Sequence, residues 1–178
     1  DLVNDEQITI NMPGSDSWTP KNYSKSFNGE VTLTKAFSES LNIPAIKISE
    51  AIGRANVSEL GKKFGLFSDP SNGPAIALGT SEATLLDLVG AYATILNQGT
   101  RVEPFGWEKL QLKKNKNEIL MVKSEKPKMK LVSPETAQNL IFMMSEVTKN
   151  GTGQRAKFSD WEVAGKTGTS QSARDAWF

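Results

Sequence analysis

The chain has 178 residues, 38% of them hydrophobic and 23% charged, with a net charge of +1. That is enough apolar residue for the core of one domain or a large piece of one, and too balanced a charge for a disordered or nucleic-acid-binding chain. It contains no His and no Cys, which excludes His-based triads, thiolate chemistry, disulfides and most zinc sites. Any acyl transfer must then move its proton through Lys, Glu, Tyr or Ser. No stretch reaches the roughly 20 apolar residues of a membrane span. The lack of Cys fits an oxidising, extracytoplasmic setting.

In chain order, Ile8 and Ile10 alternate as in a strand. Pro13, Gly14, Pro20 and Gly29 then punctuate a turn-rich stretch whose Trp18, Tyr23 and Phe27 are expected to pack on the body of the protein. Leu33, Ala36, Phe37 and Ser40 follow the 3.6-residue period of a helix. The pattern breaks at "SLNIP". Pro44 cannot continue the helix, pushes Ile43 toward extended geometry, and suits the first position of a new helix running to Ile52 and stopped by Gly53. A short helix is predicted over "NVSELGKKFG", with Asn56 or Ser58 near its start. Another starts at Thr80 or Ser81 with Glu82 in its first turn, carries Leu85, Leu88, Val89, Tyr92, Ile95 and Leu96 as its apolar stripe, and ends at Gly99.

Residues 101–123 read as a hairpin turning near Asn115 to Asn117. On it and after it, Lys113, Lys114, Lys116, Lys123, Lys126, Lys128 and Lys130 form a solvated basic face. Ser133 then caps a helix with Pro134 at its first position and Glu135 in its first turn. "WEVAGKTGTS" and "DAWF" read as two strands. Helices followed by terminal strands give an α/β or α+β layer structure.

Two short stretches carry chemistry. A Lys-Thr-Gly-Thr run on a strand puts Lys166 and Gly168 on one face and Thr167 and Thr169 on the other. Gly168 lets a ligand backbone lie against the strand, Lys166 brings positive charge, and the Thr hydroxyls suit a carboxylate. Alone, the run is also what an ordinary strand-to-turn segment shows. In "SESLNIPAI", Ser40 and Asn42 sit at the helix break forced by Pro44. They are placed either to serve a site on a pinned connection or simply to end one helix and cap the next.

Together the stretches resemble the Ser-x-Asn and Lys-Thr-Gly motifs of penicillin-binding proteins and class A β-lactamases. The matching text, "NGEVTLTKAFSESLNIPAIKISEAIG", "IALGTSEATLLDLVGAYATILNQGTRVEP", "NGTGQRA" and "VAGKTGTSQSARDAWF", is similar to the transpeptidase domain of class A penicillin-binding proteins. The Asn-x-Pro-Ala after the serine, and the Gly-Thr-Gly ahead of Lys-Thr-Gly-Thr, favour that family over β-lactamases.

The resemblance implies a serine β-lactamase/transpeptidase-like fold, with a helical subdomain and an antiparallel sheet. Ser40 would stand in a proton relay and Asn42 would bond the substrate's amide backbone. Lys166 would support the relay and the substrate carboxylate, Thr167 and Thr169 would line the carboxylate site, and the Thr169 N–H would be an oxyanion donor beside Gly168. The implied reaction is acyl transfer from a D-Ala-D-Ala stem peptide of peptidoglycan, with β-lactams acylating the same serine. No metal, cofactor or nucleic acid is implied. A glycosyltransferase domain and membrane anchor are implied upstream, on the outer face of the membrane.

One departure matters. No Ser is followed by Lys three residues on: Ser24 precedes Phe27, Ser49 precedes Ile52 and Ser124 precedes Pro127. The expectation is therefore that residues 1–178 are the C-terminal part of such a domain, without the Ser-x-x-Lys segment and the final strands and helix, and inactive alone. The rival readings are a non-catalytic sensor or binding module, for which the missing Ser-x-x-Lys speaks, and a D,D-carboxypeptidase or β-lactamase of the same fold.

Overall fold

The first strand, β1, is Leu2–Asp5, which lies ahead of the Ile8 and Ile10 alternation. It pairs antiparallel with β2, Gly29–Thr32, with Val3 opposite Val31 and Asp5 opposite Gly29. The computed structural model describes residues 1–12, 14, 16–66, 73–111, 119–122, 127–169 and 176–178. Of the expected strand, Ile10 makes a single bridge to Trp18. Of the loop's aromatics, Trp18 is half-buried and bridges to Ile10, whereas Tyr23 is fully exposed and Phe27 is 38% exposed. The buried anchor is a polar side chain, Asn22. The fully buried carboxylate of Asp5 demands hydrogen-bond donors, and Asn22 supplies them.

Helix α1, Leu33–Ser38, is capped by Thr32, whose side chain accepts from the Lys35 N–H. Helix α2, Asn42–Ile52, starts ahead of Pro44, so Ile43 is helical. The expectation of an extended Ile43 fails because N–H groups of the first turn have no intrahelical acceptor, and Pro44 loses nothing there. Gly53 ends α2 with a φ of 89° and directly begins α3, Arg54–Phe64. Asn56 and Ser58 thus lie inside α3 and do not cap it.

Helix α4, Leu85–Leu96, is capped by Thr84 in a reciprocal box with Asp87; Thr80, Ser81 and Glu82 precede it. Its buried residues are Gly90, Ala91 and Thr94, whereas Leu85, Val89 and Leu96 of the predicted stripe are 58%, 54% and 76% exposed. Small side chains permit the close approach here: a Cβ on Gly90 would lie 3.4 Å from Pro104. Helix α5, Pro134–Lys149, matches the expectation, with Ser133 as cap and Glu135 in its first turn.

The remaining described strands form two further two-stranded antiparallel sheets. Strand β3, Lys109–Gln111, pairs with β4, Ile119–Val122, as the predicted hairpin. Its turn, with Lys113, Lys114 and Lys116, lies outside the described residues, as do Lys123 and Lys126 after β4, while Lys128 and Lys130 are exposed. Strand β5, Gly168–Thr169, pairs with β6, Ala176–Trp177. The class is α+β, with mixed helices and small antiparallel sheets. Ile43, Ile46 and Val147 are fully buried between the helices, each contributing about 2 kcal/mol. Val31, Ala36 and Leu41 form a buried cluster under the end of α1.

Candidate active site

Between α1 and α2 the chain reverses within a few residues. The Glu39 N–H donates to Lys35 O at 2.9 Å, that of Ser40 to Phe37 O at 3.1 Å and that of Leu41 to Ala36 O at 2.9 Å. Such a turn needs a left-handed residue. Here it is Ser40, with a φ of 57°. An L-residue pays roughly 1–2 kcal/mol for that conformation, a kind of strain that collects at functional sites. The turn leaves Ser40 exposed.

Lys166, 126 residues later, donates from Nζ to Ser40 Oγ at 2.6 Å. It also donates to Thr167 O at 3.0 Å and stands 5.9 Å from the centroid of the Phe37 ring. These contacts are to neutral oxygens and an aromatic face. Burial lowers the Lys166 pKa below its ordinary 10.5, because the charged form loses water without a full replacement.

Between these two elements lies the loop after α5, which no site expectation had singled out. Thr152 donates from its backbone N–H to Ser38 O at 3.1 Å, and its hydroxyl shares a 2.6 Å hydrogen bond with that of Thr167. One residue thus ties the end of α1 to the Lys-Thr-Gly-Thr run. Gly151 beside it is pressed so close that a Cβ would lie 2.1 Å from Ser38 O. On the other side, the Gly165 N–H donates to Met144 O at 3.2 Å and the Thr148 hydroxyl donates to Val163 O at 2.6 Å. Helix α5 and its C-terminal loop therefore hold both halves of the site.

The other expected residues are arranged around this contact. Asn42 is the first helical residue of α2, with its side-chain amide donating to Lys21 O at 2.8 Å. Thr167 is half-buried, and Gly168 and Thr169 are exposed on β5. A Cβ on Gly168 would meet nothing within 4 Å, so the space over the strand is open. Ser40, Lys166 and Thr167 are brought together directly; Asn42, Gly168 and Thr169 continue from them along α2 and β5. Sequence reading missed Thr152, Gly151, Asn22 and Asp5. The Gly-Thr-Gly of residues 151–153 favours the family in sequence but receives no site role from it, and Asn22 lies in a turn-rich stretch.

Ser40 offers a test of function-held strain. Ser40→Gly is expected to be more stable than Ser40→Ala by about 1 kcal/mol, because only Gly adopts the left-handed turn without penalty. Denaturant midpoints of the two variants check this.

The geometry meets independent comparisons. A family described as the penicillin-binding protein transpeptidase domain matches residues 1–176. Penicillin-binding protein 1B of Haemophilus influenzae is 31% identical over 179 residues, which are 99% of this chain and 22% of that protein. Penicillin-binding protein 1A of Aquifex aeolicus is 37% identical over 163 residues, 92% of this chain and 22% of that protein. The crystal structure of penicillin-binding protein 1A from Haemophilus influenzae superposes with a TM-score of 0.85 at 25% identity, covering 99% of this chain and 32% of that one. The chain spans 22% of the length of each of these two curated relatives. The matched range includes the Ser40 turn, the Gly151 loop and the Lys166 segment, and the chain belongs to the penicillin-binding protein transpeptidase domain family.

Proposed function

We propose that this chain is part of a longer peptidoglycan D,D-transpeptidase of the class A kind, and that it supplies the relay and substrate-binding side of a serine acyl-transfer site. The observation that carries the reading is the 2.6 Å contact from Lys166 Nζ to Ser40 Oγ, which joins the Ser-x-Asn and Lys-Thr-Gly motifs in space.

In this mechanism a serine oxygen attacks the carbonyl carbon of the penultimate D-Ala. The C–N bond to the terminal D-Ala breaks, and that D-Ala leaves as an amine carrying the proton taken from the serine. An amine of a neighbouring strand then attacks the ester, the C–O bond breaks, and the serine regains its proton. Ser40 Oγ passes the proton, and Lys166 holds the hydroxyl in line and fixes positive charge beside it. The carboxylate of the terminal D-Ala is drawn to Lys166, Thr167 and Thr169. The stem backbone lies over Gly168, where space is open, and Asn42 bonds its amide. The Thr169 N–H donates to the oxyanion, a type of donor worth about 3 kcal/mol of barrier.

The nucleophile lies outside these residues, since no Ser here has Lys three residues on, and residues 1–178 alone bind without acylating. β-Lactams acylate that same serine. The whole protein is membrane-anchored and extracytoplasmic, with a glycosyltransferase domain upstream. Incubation with a D-Ala-D-Ala pentapeptide and an amine acceptor tests the reading. Release of D-Ala together with an amide-linked product is expected. Release with free acid alone identifies a D,D-carboxypeptidase, and no release from folded protein identifies a non-catalytic module.

A further inference from the structure

Asp5 is a fully buried carboxylate that the proposed chemistry does not use. It closes β1, and its oxygens accept from Asn22 Nδ2 at 2.7 and 2.9 Å. They also accept from the Asn28 backbone N–H at 3.0 Å and from Asn28 Nδ2 at 2.7 Å. Asn22 is itself 3% exposed. Its NH2 faces Asp5 and donates again to Ser26 O at 3.0 Å. The carboxylate thus fixes which way the Asn22 amide points, because only the NH2 end can face it.

The other end of that amide does the work of interest. Asn22 Oδ1 accepts from the Asn42 N–H at 2.9 Å and from the Ile43 N–H at 3.3 Å. These are the first two residues of α2, whose N–H groups have no intrahelical acceptor. The residue at the N-cap position is Leu41, which makes no side-chain cap. Asn22 therefore caps α2 from a distant loop, as a local Asn or Ser otherwise would. The adjoining Lys21 carbonyl takes the Asn42 side-chain amide at 2.8 Å. Both the backbone and the side chain of Asn42 are set by residues 21–22, and Asn22 is held by Asp5.

We propose that Asp5 and Asn22 are positioning residues for the acyl-transfer site: Asp5 orients the Asn22 amide, and that amide fixes the start of α2, hence Asn42 and the Ser40 turn before it. The inference rests on the reading that Asn42 and Ser40 serve substrate and relay.

The test uses the longer protein, with penicillin acylation as the readout. Asn22→Leu keeps the shape of the side chain and removes both its functions. Acylation should fall about 10²-fold, as small misplacements of a site residue produce, with the loss in the limiting rate and not in penicillin binding. In an Asn42→Ala background the same change should cost clearly less than in the parent, because the part of its effect that runs through the Asn42 side chain is already lost. The exchange Asp5→Asn with Asn22→Asp restores one donor–acceptor pair and keeps an acceptor facing the Asn42 and Ile43 N–H groups. It should acylate within about tenfold of the parent, and it decides the matter if Asn22→Leu does not fold. Equal losses with and without Asn42, or a folded exchange variant as slow as Asn22→Leu, would overturn the proposal. Should the parent itself form no adduct, the function reading fails, and hydrogen exchange at the Asn42 and Ile43 amides then decides: faster in Asn22→Leu supports the positioning role, unchanged overturns it.

Discussion

Replacing Lys166 by Met is expected to slow penicillin acylation by about 10²–10⁴-fold, the range set by loss of a positioned proton-transfer group. The Nζ group is 2.6 Å from Ser40 Oγ and also holds Thr167 O at 3.0 Å, so its removal frees both the Ser40 hydroxyl and the Thr167 carbonyl. Lys166→Arg should not restore the rate. A planar guanidinium is longer and spreads its donors in a fork, whereas the observed geometry needs one compact ammonium.

The pH dependence has a definite sign. Burial lowers the Lys166 pKa below 10.5, so the alkaline fall in acylation should begin below that value and be absent from the residual rate of Lys166→Met. The unfolded chain holds this proton more tightly than the folded one. Stability from this group therefore rises as pH climbs through the lowered folded pKa toward 10.5, and its cost is fully present below. Relative to parent, Lys166→Met should accordingly be most favoured near neutral pH, with the gap narrowing toward pH ~10. Urea unfolding at the two ends of that range measures it; a gap that widens with pH would contradict the assignment.

Gly151→Ala should lose about 3 kcal/mol of stability. Its Cβ would lie 2.1 Å from Ser38 O and 2.7 Å from Ser38 C, both backbone atoms that have nowhere to go. The loop after α5 must swing away, which breaks the 3.1 Å bond from the Thr152 N–H to Ser38 O and the Thr152–Thr167 hydroxyl pair. The Ser40 turn and the Lys166 segment then lose their common anchor, so acylation should fall with stability. Gly168→Ala is the contrasting case. With nothing within 4 Å of its Cβ, the fold should tolerate it within about 0.5 kcal/mol, while the methyl group intrudes where the proposed mechanism seats the stem peptide. Thermal unfolding and acylation rates of the two variants should thus separate: both fall for Gly151→Ala, only the rate for Gly168→Ala. Equal stability for the two would contradict the packing argument.

Some of this was legible from residue order alone. Ser133 and Pro134 announced α5, Gly53 stopped α2, and the two motifs pointed to residues that do meet in space. What failed was decided by partners far along the chain. A helical period finds the apolar stripe of α4 but does not tell which face has a neighbour. The neighbour selected Gly90, Ala91 and Thr94 for their small size. Pro44 was read as a helix start by its own chemistry, yet α2 begins earlier because Asn22, 20 residues upstream of Asn42, caps it. Thr152 joins Ser38 and Thr167 across 114 and 15 residues. No local pattern assigns Asn22 or Thr152 a site role, since Asn shortly after Pro20 and Thr between glycines read as turn residues.

Mapping the penicillin adduct on the longer protein tests the central claim most directly. Intact mass should show one adduct per chain, and peptide mapping should place it on a serine outside residues 1–178. An adduct on Ser40 or any other serine of these residues would contradict the division of labour argued here, and so would the absence of any adduct on folded protein.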